Sequence, residues 1–139
     1  MAAVAVDYRV QGEGPPLYMV HGIGSRKVTW DGLMPQFTPY FTCVSYDLRG
    51  HGHSPVPTPP YSLDDLVEDL EALRVKLGHE QIHVVGHSLG GMIGPAYARA
   101  HPDRVSSLGL LSTAAGRSDD ERKKLFALIA QMEREGVAP

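Results

Sequence analysis

Gly86-His87-Ser88-Leu89-Gly90-Gly91 is the stretch on which the reading of this chain turns. It fits G-x-S-x-G, and its surroundings say as much as the pattern does. Before it runs Ile82-His83-Val84-Val85, a short apolar segment that reads as a buried strand ending at Gly86. After it runs Leu89 to Ala100, small and apolar almost all round, which reads as a buried helix. A serine on so tight a strand-to-helix turn takes a strained backbone, and the flanking glycines let strand and helix approach without Cβ clashes. Its hydroxyl then stands at a helix N-terminus, where amide N–H groups and the helix dipole favour developing negative charge. In that context Ser88 is a candidate nucleophile. A glycine-rich turn with an incidental serine is the alternative.

Outward from the turn the same alternation continues. Val4 to Val10, Leu17 to Val20, Phe41 to Tyr46 and Val105 to Leu111 read as further strands. The four continuous apolar runs, at Leu17–Val20, Phe41–Tyr46, Ile82–Val85 and Val105–Leu111, each end in a glycine or a polar residue, as suits a parallel sheet covered on both faces. Between them, Ser62 caps a helix with Asp64 and Asp65 in its first turn. Leu66, Leu70, Leu73 and Leu77 recur at helical spacing, and Gly78 closes that helix. A last helix runs from Ser118 to Gly136, with Leu125, Phe126, Leu128, Ile129 and Met132 as its apolar stripe. Pro95 falls inside the helix after Ser88 and is expected to kink it. Strand and helix in alternation predict an α/β fold with right-handed crossovers. The proline-rich run 55–60 is a stiff loop within that pattern.

Composition narrows the function classes. The chain has 139 residues, 42% hydrophobic and 21% charged, with 13 Lys+Arg against 16 Asp+Glu and a net charge of −3. That is one domain, with no electrostatic reason to hold nucleic acid or an anionic membrane. No apolar run is long enough to span a bilayer, and Met1-Ala2-Ala3-Val4 lacks a basic n-region, so a soluble, cytoplasmic domain is expected. A single cysteine, Cys43, excludes an internal disulfide and a cysteine-based zinc cage. It lies in an apolar strand and reads as an inert buried thiol.

Two more segments carry candidate chemistry. His21-Gly22-Ile23-Gly24-Ser25 is a glycine-rich loop directly after a strand, able to present a backbone N–H to a substrate oxygen; a plain strand-to-helix turn is the alternative. Trp30, beyond it, is either a pocket-mouth contact or a core anchor. Asp47-Leu48-Arg49-Gly50-His51-Gly52-His53-Ser54 reads as a turn held by Asp47 and Arg49. Its His51-x-His53 pair can also be read as half of a metal site, but no acid–histidine set accompanies it at ligand spacing, and no metal or other cofactor is expected.

In order and spacing, the His-Gly-x-Gly loop, the Asp-x-Arg-Gly-x-Gly-x-Ser turn and the serine elbow resemble the α/β-hydrolase superfamily, from about Val4 to Thr113. His101-Pro102-Asp103-Arg104-Val105 resembles that family's passage from the elbow helix to the next strand. The resemblance implies a three-layer fold, a mostly parallel sheet with helices on both faces, ending after the strand near Ser112. It divides the chain into residues 1–116, the N-terminal part of the core, and 117–139, a helix that starts the lid. It makes Ser88 the nucleophile and the backbone N–H groups of Ile23 and Leu89 the oxyanion hole, with His21, Gly22 and His87 shaping the site. Dehalogenase-like and epoxide-hydrolase-like members carry aspartate at the elbow, so serine directs the chemistry to a small-molecule ester, thioester or lactone. The stretch 111–116 is loosely similar to 3-oxoadipate enol-lactonases.

The family's order is serine, then acid, then histidine. Here every histidine lies at or before His101, and Asp119 and Asp120 read as helix-start acids. The chain therefore reads as the half of a hydrolase that holds nucleophile and oxyanion hole. A hydrolase-like binding module without the triad acid and histidine is the alternative. Self-association through an exposed sheet edge or the terminal helix goes with either.

Overall fold

The computed structural model describes residues 2–113 and 118–135. The expected boundary at 116/117, the Gly136 end of the last helix and the side chain of Met132 lie outside what is described. In chain order the elements are β1 (Tyr8–Gln11), β2 (Pro16–Val20), a 3-10 segment (Lys27–Leu33), the one-turn α1 (Met34–Phe37), β3 (Thr42–Tyr46), α2 (Leu63–Leu77), β4 (Ile82–His87), α3 (Gly90–Ala100), β5 (Val105–Leu111) and α4 (Asp119–Glu135). The strands form one sheet in the order β1-β3-β2-β4-β5. Only the β1–β3 pair is antiparallel.

The apolar runs are continuous because both faces of the central strands are covered. Alternate residues of a strand point to opposite faces. Tyr18, Val20, Val44, Tyr46, Ile82 and Val84 pack on one face with α2 and α3. Leu17, Met19 and Cys43 pack on the other with Trp30 and Met34. Trp30 is thus a core anchor, and burial raises the pKa of the Cys43 thiol, which keeps it protonated and inert. The second face departs from expectation. Its cover is a 3-10 segment and a single helical turn, and it carries an apolar groove of about 340 Å³ between Trp30, Phe37, Phe41 and Leu108. The first strand is also shorter than Val4 to Val10 suggests. Val4 N–H donates to Asp69 Oδ1 at 2.8 Å instead of joining the ladder.

α2 begins at a capping box, in which Asp65 N–H donates to Ser62 Oγ and Ser62 N–H to Asp65 Oδ2. It ends at Gly78, whose φ of +74° is the left-handed helix stop. Leu66, Leu70 and Leu73 are the face it buries. α3 runs unbroken through Pro95 and buries Ile93 and Tyr97. β5 is the sheet's edge among the described residues, and Leu108, Leu110 and Leu111 are exposed on it. Among the described residues no helix is long and apolar enough to cross a membrane.

One ion pair is sealed into this core. Arg49 and Asp69 are buried and joined twice, Nε to Oδ2 at 2.6 Å and Nη2 to Oδ1 at 2.8 Å. Removing one partner of such a pair leaves an uncompensated charge, at a cost of about 3–5 kcal/mol. Arg49→Met is therefore expected to lower urea-unfolding stability by about that much, and Arg49→Met with Asp69→Leu by distinctly less. A second expectation concerns acid. Burial acts to raise the pKa of Asp47, but the Lys27 and His53 amides and the Lys27 ammonium overcome it and hold the value low. A carboxylate held low contributes stability above its ordinary pKa of about 4 and loses it as pH falls through the lower folded value. Acid titration followed by circular dichroism should show a shallower fall for Asp47→Asn than for the native chain.

Candidate functional site at the Ser88 turn

Ser88 stands between the end of β4 and the start of α3 with φ of +56°, in the left-handed region that a side-chain-bearing residue occupies only when its surroundings force it. The surroundings do so through backbone contact. A Cβ on Gly86 would lie 2.1 Å from the Gly90 carbonyl oxygen, and one on Gly90 would lie 2.0 Å from that of Val20. No side chain fits at either place, so strand and helix meet backbone to backbone and the chain between them must turn within Ser88. Ser88 N–H is tied to Leu111 O at 3.0 Å, and its carbonyl accepts from Gly91 N–H at 3.0 Å and from the Thr113 hydroxyl at 3.1 Å. The end of β5 therefore braces the turn.

The glycine-rich loop lies directly on the serine. A Cβ at Gly22 would be 3.0 Å from Ser88 Cβ and 3.3 Å from the His87 carbonyl. Ile23, Ser88, Leu89, Met92, Ser112, Thr113, Leu125 and Ile129 line one apolar cavity of about 370 Å³. Among the described residues the amides of Ile23 and Leu89 donate to no protein acceptor, while the amides beside them are taken, Ser88 N–H by Leu111 and Gly24 N–H by His51. Of the residues expected at the site, Ser88, Ile23, Leu89 and Gly22 are brought together. His87 is exposed and also lies against this loop, its Nδ1 3.6 Å from where a Cβ on Gly22 would stand.

His21 is buried and fully committed. Leu48 N–H donates to its Nε2 at 3.0 Å, so the proton sits on Nδ1 and is donated to Gly22 O at 2.7 Å. Burial lowers its pKa, outweighing the Gly22 carbonyl, which favours the charged form. His51, 5.2 Å away ring to ring, is committed in the same manner, accepting Gly24 N–H at Nε2 and bonded through Nδ1 to Arg49 O at 3.0 Å. Both nitrogens being engaged, neither ring has a lone pair left for a substrate proton or a metal ion. No group of three metal-ligating side chains occurs among the described residues.

The Asp47–Ser54 turn supports this loop from below. Asp47 accepts from Lys27 N–H at 2.7 Å, Lys27 Nζ at 3.0 Å and His53 N–H at 2.9 Å. Its role as the centre of a held turn is the one the sequence suggested. Sequence reasoning did not single out Ser112 or Thr113 as neighbours of Ser88. Ser112 has φ of +47°, a conformation that no residue type in Leu111-Ser112-Thr113 advertises. It also gave His51 no place beside the glycine-rich loop, because a contact across 27 residues leaves no local pattern.

Known proteins agree with this geometry. The family model described as alpha/beta hydrolase fold matches residues 15–139. A fluoroacetate dehalogenase from a Burkholderia species is 38% identical over 78% of this chain and 37% of its own length. A pimeloyl-(acyl-carrier protein) methyl ester esterase from Aeromonas hydrophila is 37% identical over 70% of this chain and 37% of its own length. A solved marine microorganism esterase superimposes with a TM-score of 0.85 at 28% identity, over 99% of this chain and 53% of that one. The chain thus spans about a third of the length of these curated relatives and about half of that esterase. With the matched region covering four of the sheet's five strands, the Ser88 turn and the glycine-rich loop together, the chain belongs to the alpha/beta hydrolase family.

Proposed function

We propose that this chain carries the nucleophile and oxyanion hole of a serine hydrolase that acts on a carboxylic ester, thioester or lactone through an acyl-Ser88 intermediate. The observation that carries the reading is the left-handed Ser88 pressed against Gly22, with the unengaged Ile23 and Leu89 amides on the same cavity. In this reading Ser88 Oγ attacks the acyl carbon and its proton passes to a base. The carbonyl oxygen takes the negative charge, and the Ile23 and Leu89 N–H groups stabilise it. Collapse of the tetrahedral species expels the alcohol, thiol or ring oxygen, and water then releases the acid by the same steps.

The dehalogenase among the relatives and the esterases beside it pose a choice of chemistry, and the residue at position 88 bears on it. Serine favours acyl transfer, because its alkoxide attacks a carbonyl whose oxygen the two amides can hold. The apolar lining by Met92, Leu125 and Ile129 suits a hydrocarbon-bearing acyl group. α4, which contributes the last two, takes the place of a lid's first helix in this reading. The general base is neither His21 nor His51, since both rings are spent on backbone bonds. We assign the base and its orienting acid to the part of the relatives' length that this chain does not span.

Hydrolysis of p-nitrophenyl acetate tests the reading. The 139-residue chain should turn over slowly, and an enzyme completed by that further part should be faster by about a thousandfold or more. Ser88→Ala should abolish the difference, and Asp119→Ala with Asp120→Ala should leave it. A chain as fast as the completed enzyme would sink the assignment of the base. Gly22→Ala supplies an independent check on the hole. Its methyl would crowd Ser88 Cβ at 3.0 Å, so kcat should fall about tenfold or more while the melting temperature stays close to native.

A further inference from the structure

We infer that His51 is a positioning residue for the oxyanion hole: by accepting the Gly24 N–H it locks the peptide plane next to the Ile23 amide. The inference rests on the acyl-Ser88 reading and adds a part to that site.

The loop is a turn, closed by Ser25 N–H donating to Gly22 O at 3.2 Å, with Ile23 and Gly24 at its centre. Gly24 has φ of +76°, the value a type II turn demands at its third position. Such a turn has a known weakness. Its central peptide, here Ile23–Gly24, can flip over while both ends stay put, exchanging the N–H and the C=O and giving a type I turn. A flip here would reverse a peptide dipole adjoining the Ile23 amide and carry the Ile23 carbonyl to the other side of the loop. Ile23 is 72% exposed, so packing of its side chain does little to prevent this.

Two imidazoles hold the two successive peptide planes. His21 Nδ1–H donates to Gly22 O, and in a trans peptide that sets the opposite direction of the Ile23 N–H. His51 Nε2 takes the Gly24 N–H at 2.9 Å, which is the hydrogen of the central peptide itself. A flipped peptide would turn a carbonyl oxygen toward the Nε2 lone pair, a repulsive contact, and would leave the ring's acceptor unpaired. The anchor is firm. His51 N–H donates to Leu48 O at 2.9 Å, its Nδ1 is bonded to Arg49 O, and Arg49 is fixed to Asp69 in the core. Leu48 N–H in turn donates to His21 Nε2. Loop and turn thus each lend the other a histidine acceptor.

The arrangement requires His51 as the Nδ1–H tautomer, so nitrogen-15 spectra of the native chain give a direct reading. Nε2 should appear unprotonated and coupled to the Gly24 amide proton. A ring protonated on Nε2 overturns the inference without any variant. Two replacements then separate positioning from packing. His51→Phe keeps a ring beside His21 but has no acceptor. His51→Gln places an amide oxygen near the former Nε2. Measured by kcat of the completed enzyme and by the rate at which a fluorophosphonate labels Ser88, His51→Phe should lose about 10- to 100-fold with KM within about threefold. His51→Gln should recover to within about fivefold of native. Equal losses in both variants, or none in His51→Phe, overturn the positioning role. Labelling that survives Ser88→Ala overturns the acyl-serine reading instead.

Discussion

The approach of β4 to α3 without any side chain between them governs everything else at this site. Gly86 faces the Gly90 carbonyl and Gly90 faces that of Val20, each at a distance no Cβ could occupy. Because the backbones touch, the chain has a single residue in which to pass from extended to helical, and that residue takes a positive φ. The strain at Ser88 is held by the surrounding contacts: β5 supplies Leu111 O and the Thr113 hydroxyl, and Gly91 lies under Thr113 where a Cβ would meet its side chain at 2.5 Å. Strain of this kind persists only where its neighbourhood over-determines it. The parallel sheet does so by bringing the ends of β2, β4 and β5 to one edge, the edge at which ligands of such sheets bind.

The second support is electrostatic. The Asp47–Ser54 turn lies under the glycine-rich loop and buries two acids and two bases, Asp47 with Lys27 and Asp69 with Arg49. Buried pairs of this kind contribute little net stability against an apolar replacement, because desolvation offsets their attraction. What they add is placement. Asp47 collects three donors from two different segments, and Arg49 reaches α2 and lies 5.5 Å from the Tyr61 ring. An apolar core would tolerate small slips of these loops. A carboxylate with all its donors in place does not, and the loop carrying Ile23 is registered against Ser88 accordingly.

The legible part of this structure was whatever has a local or periodic signature. The Ser62 cap, the leucine stripe of α2 and the Gly78 stop were read to the residue, because capping chemistry and helical spacing are written in neighbouring positions. The bounds of β5 were equally plain. The first strand was overread because Val4 and Val6 are apolar for a different reason: they pack against the core as an extended arm whose amide goes to Asp69. The glycines around Ser88 were legible as a group since each marks a close approach. Ser112 was not, since its left-handed backbone is imposed by what the end of β5 must do beside Ser88, and serine carries no signal for it. The groove over Trp30 and Phe41 was missed for a similar reason. Periodicity tells that a strand face is apolar, not how much chain lies over it.

The histidines show why residue type alone misleads at a site like this. Beside a candidate nucleophile a histidine is read first as a base, and a His-x-His pair as half a metal site. Here His21 and His51 serve the backbone. A loop that leaves its own N–H groups unengaged beside a cavity, as the proposed reading requires, cannot satisfy its other polar groups through regular secondary structure. Neutral imidazole answers that need, since one nitrogen donates and the other accepts, in diverging directions from a rigid ring. Each ring spans from a carbonyl to an amide across the gap between loop and turn. The same property that makes histidine a proton shuttle elsewhere makes it a strut here, and a ring with both nitrogens engaged can be one or the other, not both. On the proposed acyl-Ser88 reading, the proton of Ser88 therefore leaves by a route that does not pass through the glycine-rich loop.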